Sequence, residues 1–387
     1  MIYLDYAATT PILEEVLQEM LPYQRQFFGN PSSVYAAGRE AKKGLEEARE
    51  RVAGAIGALP SEIIFTSGGT EADNMALKGA AFSHRSRGNH IVTTSIEHHA
   101  VLHTAEWLEK QGFRVTFLPV SRDGVVDLDA LSASLSSETV LVSVMLANNE
   151  VGSIQPLSQV SKIVRERCRA VLHTDAVQGL GKIPIDLGKL GFDMASFAAH
   201  KLGGPKGVGA LWVRHKTVIE PISHGGGQER GMRSGTPNVA GVVGFGKAAE
   251  IAQREVEGEA ARLGSLRDRL QAAILSSIAE VEVNASGAPR LPGTLSMCIK
   301  GVEGESLLLM LDSKGVAASS GSACASGSLD PSHVLMAMGI PPEMAHGSLR
   351  FSLGRSSAAT DVDKAVEVLT QVVGRLRSIA PITVGSG

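Results

Sequence analysis

Two residues in this chain join a reactive side chain to surroundings suited to its use. Cys324 lies in Ser319-Ser320-Gly321-Ser322-Ala323-Cys324-Ala325-Ser326-Gly327-Ser328, a stretch with no side chain bulkier than a thiol. Such a stretch has little apolar surface to pack, so a thiol within it is better placed to carry something and move than to fill a core. The other two cysteines, Cys168 and Cys298, sit in the apolar contexts Ile163-Val164-Arg165-Glu166-Arg167-Cys168 and Leu295-Ser296-Met297-Cys298-Ile299 and read as small core residues. Lys201 ends Ser196-Phe197-Ala198-Ala199-His200-Lys201, after a strand and ahead of the glycine-rich run 203–209. Apolar and glycine neighbours strip water from the amine, which lowers its pKa and suits it to form a Schiff base with a carbonyl. An ordinary surface lysine is the alternative.

Other residues supply what such an amine needs. Phe65-Thr66-Ser67-Gly68-Gly69-Thr70-Glu71-Ala72-Asp73-Asn74 reads as a strand, a glycine turn and a helix start. Backbone N–H groups at that terminus, with the Thr70 hydroxyl, form a phosphate cradle, although a simply capped helix has the same pattern. A phosphate site together with a Schiff-base lysine is what pyridoxal phosphate requires. In His173-Thr174-Asp175-Ala176-Val177-Gln178, Asp175 follows an apolar strand, where a carboxylate either pairs with a pyridinium nitrogen or caps a helix. The interval from Asp175 to Lys201 admits one more crossover and strand, so both can reach the same sheet edge.

Glu97-His98-His99 lies just beyond a strand at 91–95, where an imidazole could stack on a bound ring and move protons near neutral pH. Asn148-Asn149-Glu150 ends the strand 140–146 in the same way. Arg350, in Ser348-Leu349-Arg350-Phe351-Ser352, offers a two-pronged donor for a carboxylate; either could equally be a solvated strand terminus. Gly241-Val242-Val243-Gly244-Phe245-Gly246-Lys247-Ala248 imitates a nucleotide-binding loop, but Ala248 stands where a magnesium-binding hydroxyl belongs, which argues against a nucleoside triphosphatase.

The elements that position these residues follow from the apolar pattern. Ile63-Ile64-Phe65, Ile91-Val92, 115–118, 140–146, Val171-Leu172 and 211–213 read as strands, with helical stretches at 71–81, 99–111 and 157–169 between several of them. That alternation predicts a mostly parallel α/β sheet with its ligand site at the carboxyl ends of the strands. Residues 246–280 predict a long helix connecting two domains. Beyond it a strand at 293–300 and helices at 304–312 and 360–378 predict a smaller α+β domain, against which the first dozen residues pack.

The chain has 387 residues, 43% of them hydrophobic and 4% aromatic, enough for two domains with substantial cores. Its net charge of −3 comes from 37 basic and 40 acidic residues spread along the sequence, which gives nucleic acid or anionic lipid nothing to grip. No apolar stretch has signal or membrane-span length, so the expected compartment is the cytoplasm. Three unevenly spaced cysteines form no disulfide framework, and no Cys-x-x-Cys or Cys/His cluster has metal spacing.

Jointly these motifs resemble the cysteine desulfurases of the NifS/IscS family, fold-type I pyridoxal-phosphate enzymes akin to class-V aminotransferases. The resemblance runs through Tyr3-Leu4-Asp5-Tyr6-Ala7-Ala8-Thr9-Thr10, Gly29-Asn30-Pro31-Ser32-Ser33, 66–74, Ala147-Asn148-Asn149-Glu150, 173–178, His200-Lys201, 229–236 and 319–328. The long Ser/Gly segment is similar to that of class I. The resemblance implies a large domain over 15–260 built on a mostly parallel seven-stranded sheet, and a small domain formed by 1–14 and 261–387 that carries the cysteine loop at about 319–332.

It further implies that Lys201 binds the cofactor covalently and then moves the substrate's α-proton. Asp175 would face the pyridine nitrogen, Gln178 the phenolic oxygen, and His98 would stack on the ring and relay protons. Gly69, Thr70 and His200 would hold the phosphate with Thr236 of a second subunit, making the enzyme a homodimer. Asn149 and Arg350 would hold the carboxylate of L-cysteine. Cys324 would take the sulfur as a persulfide, leave alanine behind and deliver the sulfur to an iron–sulfur scaffold or another acceptor protein. A selenocysteine lyase or an aminotransferase on the same fold is the nearest alternative, and a sulfur-relay partner without turnover is an alternative of another class. Many relatives carry Ser or Cys where this chain has Ala198, so one hydroxyl contact to phosphate is expected to be missing. No Lys, Arg or His lies within six residues of Cys324, so any lowering of its thiol pKa must come from residues distant in sequence.

Overall fold

The computed structural model describes residues 1–320 and 331–379. Runs of β-branched and aliphatic residues form short strands, and the amphipathic stretches between them form helices. The chain begins with β1 (Ile2–Tyr3), α1 (Glu14–Arg25), α2 (Ala36–Ala55), β2 (Ile63–Thr66), α3 (Gly69–Ser83), β3 (His90–Thr94) and α4 (His99–Lys110). It continues through β4 (Arg114–Leu118), α5 (Leu128–Ser134), β5 (Thr139–Ser143), α6 (Leu157–Arg167), β6 (Val171–Asp175), α7 (Leu187–Leu190), β7 (Met194–Ala198) and β8 (Gly209–Val213). The remainder is α8 (Val239–Ser277), β9 (Val281–Val283), β10 (Thr294–Ile299), α9 (Gly304–Ser313), β11 (Val316–Ala317), α10 (His333–Ala337), α11 (Pro342–Ala345), β12 (Ser348–Ser352) and α12 (Ala359–Ile379).

Seven strands form one sheet in the order β2-β8-β7-β6-β5-β3-β4. The pairs from β7 through β6, β5 and β3 to β4 are parallel, while β8 runs antiparallel to both β7 and β2. Its central strands are buried on both faces, as a sheet covered by helices requires. The expected strand over 140–146 is β5 plus an extended continuation, in which Val144 N donates to His173 O (3.1 Å) and Leu146 N to Asp175 O (2.8 Å). The motif at 196–201 does not follow a strand: Ser196–Ala198 are the last three residues of β7 itself.

The predicted helix at 246–280 begins earlier, at Val239, where Asn238 caps it by accepting from Gly241 N (3.1 Å). This explains the glycines that imitate a nucleotide loop. They let neighbours close on a buried helix: a Cβ on Gly246 would lie 2.6 Å from Ala48 Cα of α2. The amino-terminal half of α8 packs Val242, Phe245 and Ala249 into the core of the large sheet, while Leu270 and Ile274 join a second core with Leu295, Met297, Leu349, Phe351 and Leu369. That second core lies against the antiparallel sheet β12-β10-β9. The amino-terminal residues do pack there: β1 pairs in parallel with β11, and Leu4 is fully buried in the second core.

Candidate active site

The carboxyl ends of β3, β5, β6 and β7 deliver His98, Asn149, Asp175 and Lys201 to one edge of the sheet. Lys201 Nζ donates to the carbonyls of Ala7 and Ala8, each at 2.7 Å, so the segment after β1 passes directly over the lysine. His200 fastens the same segment, its Nδ1 lying 3.0 Å from Thr9 Oγ1, and Thr10 Oγ1 donates to His200 O (2.9 Å). Burial, reinforced by Lys201, Lys206 and Lys182, pulls the His200 imidazole down to about 4.

Asp175 is 6% exposed and accepts from Val177 N at 2.9 Å. Burial pushes its carboxyl up, while His98 and Lys201 oppose that shift by favouring the anion. His98 caps α4 by accepting from Ala100 N through Nδ1 (3.1 Å), so the neutral ring carries its proton on Nε2. Burial holds this imidazole below its ordinary value, with Asp175 pulling the other way. Asp73, from α3, completes a buried cluster in which one oxygen or nitrogen each from Asp73, His98 and Asp175 lie within 4.8 Å of one another. Burial and the neighbouring Asp175 drive the Asp73 carboxyl far upward, toward the neutral acid.

Gln178 donates from Nε2 to Ala7 O (3.0 Å), and its Oε1 accepts from Lys182 Nζ. Lys182 has no counterpart in the sequence-based reading. Burial, with Lys201 and Arg350 nearby, brings its ammonium down to about 7. At the other end of the site, Gly69 and Thr70 open the 15-residue α3. The turn before them is pressed on β8: a Cβ on Gly209 would meet Phe197 O at 2.5 Å and Gly68 C at 2.6 Å. Thr70 is exposed, and so is Thr236, which lies in the loop before α8 and outside this network of contacts.

Arg350 is not at a strand terminus but in the middle of β12, 5% exposed. It donates to Asn149 O (2.7 Å) and to Asp5 Oδ1 (2.8 Å), and its buried Nε has no partner. Asp5 is a second residue that the sequence-based reading left without a role, because the pair is nearly a chain length apart.

Cys324 lies outside the described residues, but both flanks of its segment are fixed here. Ser319 exchanges backbone hydrogen bonds with Arg350 (3.1 and 2.6 Å). On the other flank, Ser332 Oγ donates to Glu150, and His333 Nε2 donates to Glu97 O (3.0 Å). Both ends of the segment are therefore tied beside the residues just described. Cys298 is fully buried with its thiol pushed up to about 11, and Cys168 ends α6 against the large core, so both are structural.

The donor set fits pyridoxal phosphate. A long helix opens at Gly69 and Thr70, a primary amine stands in the turn just after β7, and a buried carboxyl with His98 and Lys201 favouring its anion ends β6.

The chain has relatives among known proteins. Residues 2–365 match the family model for class-V aminotransferases. The chain belongs to that family, on its cysteine desulfurase branch. It is 50% identical to cysteine desulfurase IscS of Methanosarcina thermophila over 382 residues, covering 99% of this chain and 94% of that one. It is equally identical to cysteine desulfurase IscS of Dictyoglomus turgidum over 380 residues, with 98% and 96% covered. Among solved structures, a NifS-like protein superposes with a TM-score of 0.91 at 41% identity, covering 97% of this chain and 99% of its own. A NifS-like protein from Rickettsia africae does so with 0.87 at 32% identity, with the same coverage. The cofactor of the family is pyridoxal 5′-phosphate.

Proposed function

We propose that this cysteine desulfurase passes the sulfur of L-cysteine to Cys324 and from there to a protein acceptor. The observation that carries the reading is that Lys201, Asp175 and His98 share one sheet edge, that Arg350 of β12 reaches that edge by donating to Asn149 O, and that Ser319 and Ser332, flanking the Cys324 segment, are both fastened beside it.

Lys201 would hold the cofactor covalently, Asp175 would face its pyridine nitrogen and Gln178 its phenolic oxygen. Gly69, Thr70 and His200 would take the phosphate with the partner subunit's Thr236. When bound, the cofactor supplies an electron sink for charge leaving the substrate's α-carbon. Arg350 and the Asn149 amide orient the substrate carboxylate, to which the unpartnered Nε of Arg350 offers a further donor. Lys201 Nζ moves the α-proton, and His98, neutral at pH 7 with its proton on Nε2, relays a proton beside it. The Cys324 thiolate then attacks the substrate sulfur. A sulfur–sulfur bond forms, the carbon–sulfur bond breaks, and the bonding pair stays with the carbon, which takes up a proton and ends as the methyl group of alanine.

Homodimerisation is supported by the exposure of Thr236 and of Phe28, Val34 and Tyr35. Transfer to an iron–sulfur scaffold or a thiolation partner in the cytoplasm extends the same reading. So does the division into a large domain over 15–260 and a small one over 1–14 and 261–387, supported by α8 contributing to two separate cores. No helix among the described residues is long and apolar enough to cross a membrane.

The test is alanine release from L-cysteine with and without an added thiol. Cys324→Ala is expected to lose ~100-fold or more of the rate while keeping the cofactor's visible absorbance, and Lys201→Ala to lose both. Native turnover by Cys324→Ala without added thiol would refute the role of Cys324.

A further inference from the structure

Four histidines gather where α4 begins, and the proposed reaction uses one. His99 and His103 stand one helical turn apart on α4, the i, i+4 spacing with which a helix presents two imidazoles to one metal ion. Their ring centroids are 5.0 Å apart. His333, the first residue of α10, brings a third ring to 4.7 Å from His99. An imidazole centroid lies about 3 Å from a metal bound through its nitrogen, so two ligands on a tetrahedral ion hold their centroids about 5 Å apart.

The hydrogen bonding of His333 is an independent pointer. Its Nε2–H donates to the backbone carbonyl of Glu97 at 3.0 Å, which fixes the tautomer and leaves the Nδ1 lone pair available. A backbone carbonyl on the second ring nitrogen is the outer-shell arrangement that metal-binding histidines usually have. His99 and His333 are half-buried and His103 is exposed, so the group is open to solvent on one side. Burial and the neighbouring imidazoles hold the His99 and His333 rings below their ordinary value. A tighter set, Asp73, His98 and Asp175, belongs to the cofactor site and carries no separate proposal.

We propose that His99, His103 and His333 bind one divalent transition-metal ion of the borderline class, such as Zn²⁺, Co²⁺ or Ni²⁺. Three imidazoles without a thiolate or carboxylate select these ions over Mg²⁺ and Ca²⁺. The three rings do not yet bring one nitrogen each within 4.8 Å of the others, and the exposed His103 closes the set by turning about its side-chain bonds. A metal held there ties the helix that begins at His99 to the helix that follows the Cys324 segment.

The experiment is a Co²⁺ titration of the cofactor-loaded enzyme without substrate, followed by the d–d absorption of the ion and by equilibrium dialysis. One Co²⁺ per chain, displaced by Zn²⁺, is expected. His103→Ala should weaken binding ~10-fold or more, His99→Ala/His103→Ala should abolish it, and Cys324→Ser should leave it unchanged. The cofactor's own absorbance reports that each variant is folded and loaded. Absence of saturable binding, binding that survives in the double variant, or binding lost in Cys324→Ser would each overturn the proposal.

Discussion

Lys182 Nζ donates to Gln178 Oε1, and that bond decides which end of the Gln178 amide faces Lys201. With Oε1 occupied, Nε2 is the end turned toward Ala7 O and the lysine. The Lys182 group titrates at about 7, so below that pH it holds the amide with a charged donor and above it with a weaker neutral one. The bound cofactor's visible spectrum is therefore expected to show an inflection near pH 7 that disappears in both Lys182→Met and Lys182→Arg, the Arg variant, charged at every pH, keeping the low-pH spectrum throughout. An unchanged pH titration of the Met variant would remove Lys182 from the positioning network.

At this scale the sequence was legible wherever a reactive residue ended an apolar run, as Lys201, Asp175 and His98 do, because a strand end fixes both position and direction. It was not legible for Lys182, whose four-residue link to Gln178 depends on a turn, nor for Asp5, whose partner Arg350 comes from β12.

Between elements, the clearest device is the buried pair of Arg49 on α2 and Glu229. Two hydrogen bonds of 2.8 Å join them, Glu229 also accepts from Phe65 N (2.9 Å), and the guanidinium lies 4.7 Å from the centroid of the Phe65 ring. Glu229 and Arg230 adopt left-handed backbone angles, with φ of 44° and 57°, a conformation that the ion pair helps to hold. Removing one partner of a buried pair costs about 3–5 kcal/mol, so Arg49→Met should lower the unfolding free energy by that order in denaturant titration. The loop through Thr236 should become more accessible to protease in the same variant.

Gly209 is the second such point, since it lets β8 touch the turn before α3. Gly209→Ala must displace Phe197 O or Gly68, and with it the first turn of α3. The expected result is faster loss of pyridoxal phosphate on dialysis with little change in helical content. The alternation of β3, α4, β4, β5, α6 and β6 could be read from periodicity. The helices α1 and α2 could not, because Pro22 in one and Gly38 and Gly44 in the other mask the apolar face.

For the whole molecule, two sets of buried groups pull stability in opposite directions with pH. His90 and His173 are fully buried with both ring nitrogens on hydroxyls, and burial draws them down to about 4 and about 3. The unfolded chain protonates them below their ordinary 6.5, so their contribution is present above that value and is lost as pH falls toward 3. Glu97 and Glu150 are pushed up to about 8 and about 7, so their contribution is present below 4.5 and is lost as pH rises through 7 to 8. Between those two reference values the opposing slopes nearly cancel, so melting temperature is expected to peak between about pH 5 and 6 and to fall on both sides. Glu97→Gln should flatten the alkaline limb. Size-exclusion chromatography with light scattering should give twice the 40.5 kDa chain mass if the partner subunit's Thr236 completes the site.

The path of the amino-terminal residues sets an order for biosynthesis. The carbonyls over Lys201 belong to Ala7 and Ala8, yet the residues just before them dock on β11 and on Arg350, which a ribosome makes only after every strand of the large sheet. A nascent chain that has already finished the large sheet still lacks this strap. Its lysine stays uncovered until translation has passed residue 350, so a stalled or truncated product would hold an almost finished catalyst with its pocket left open.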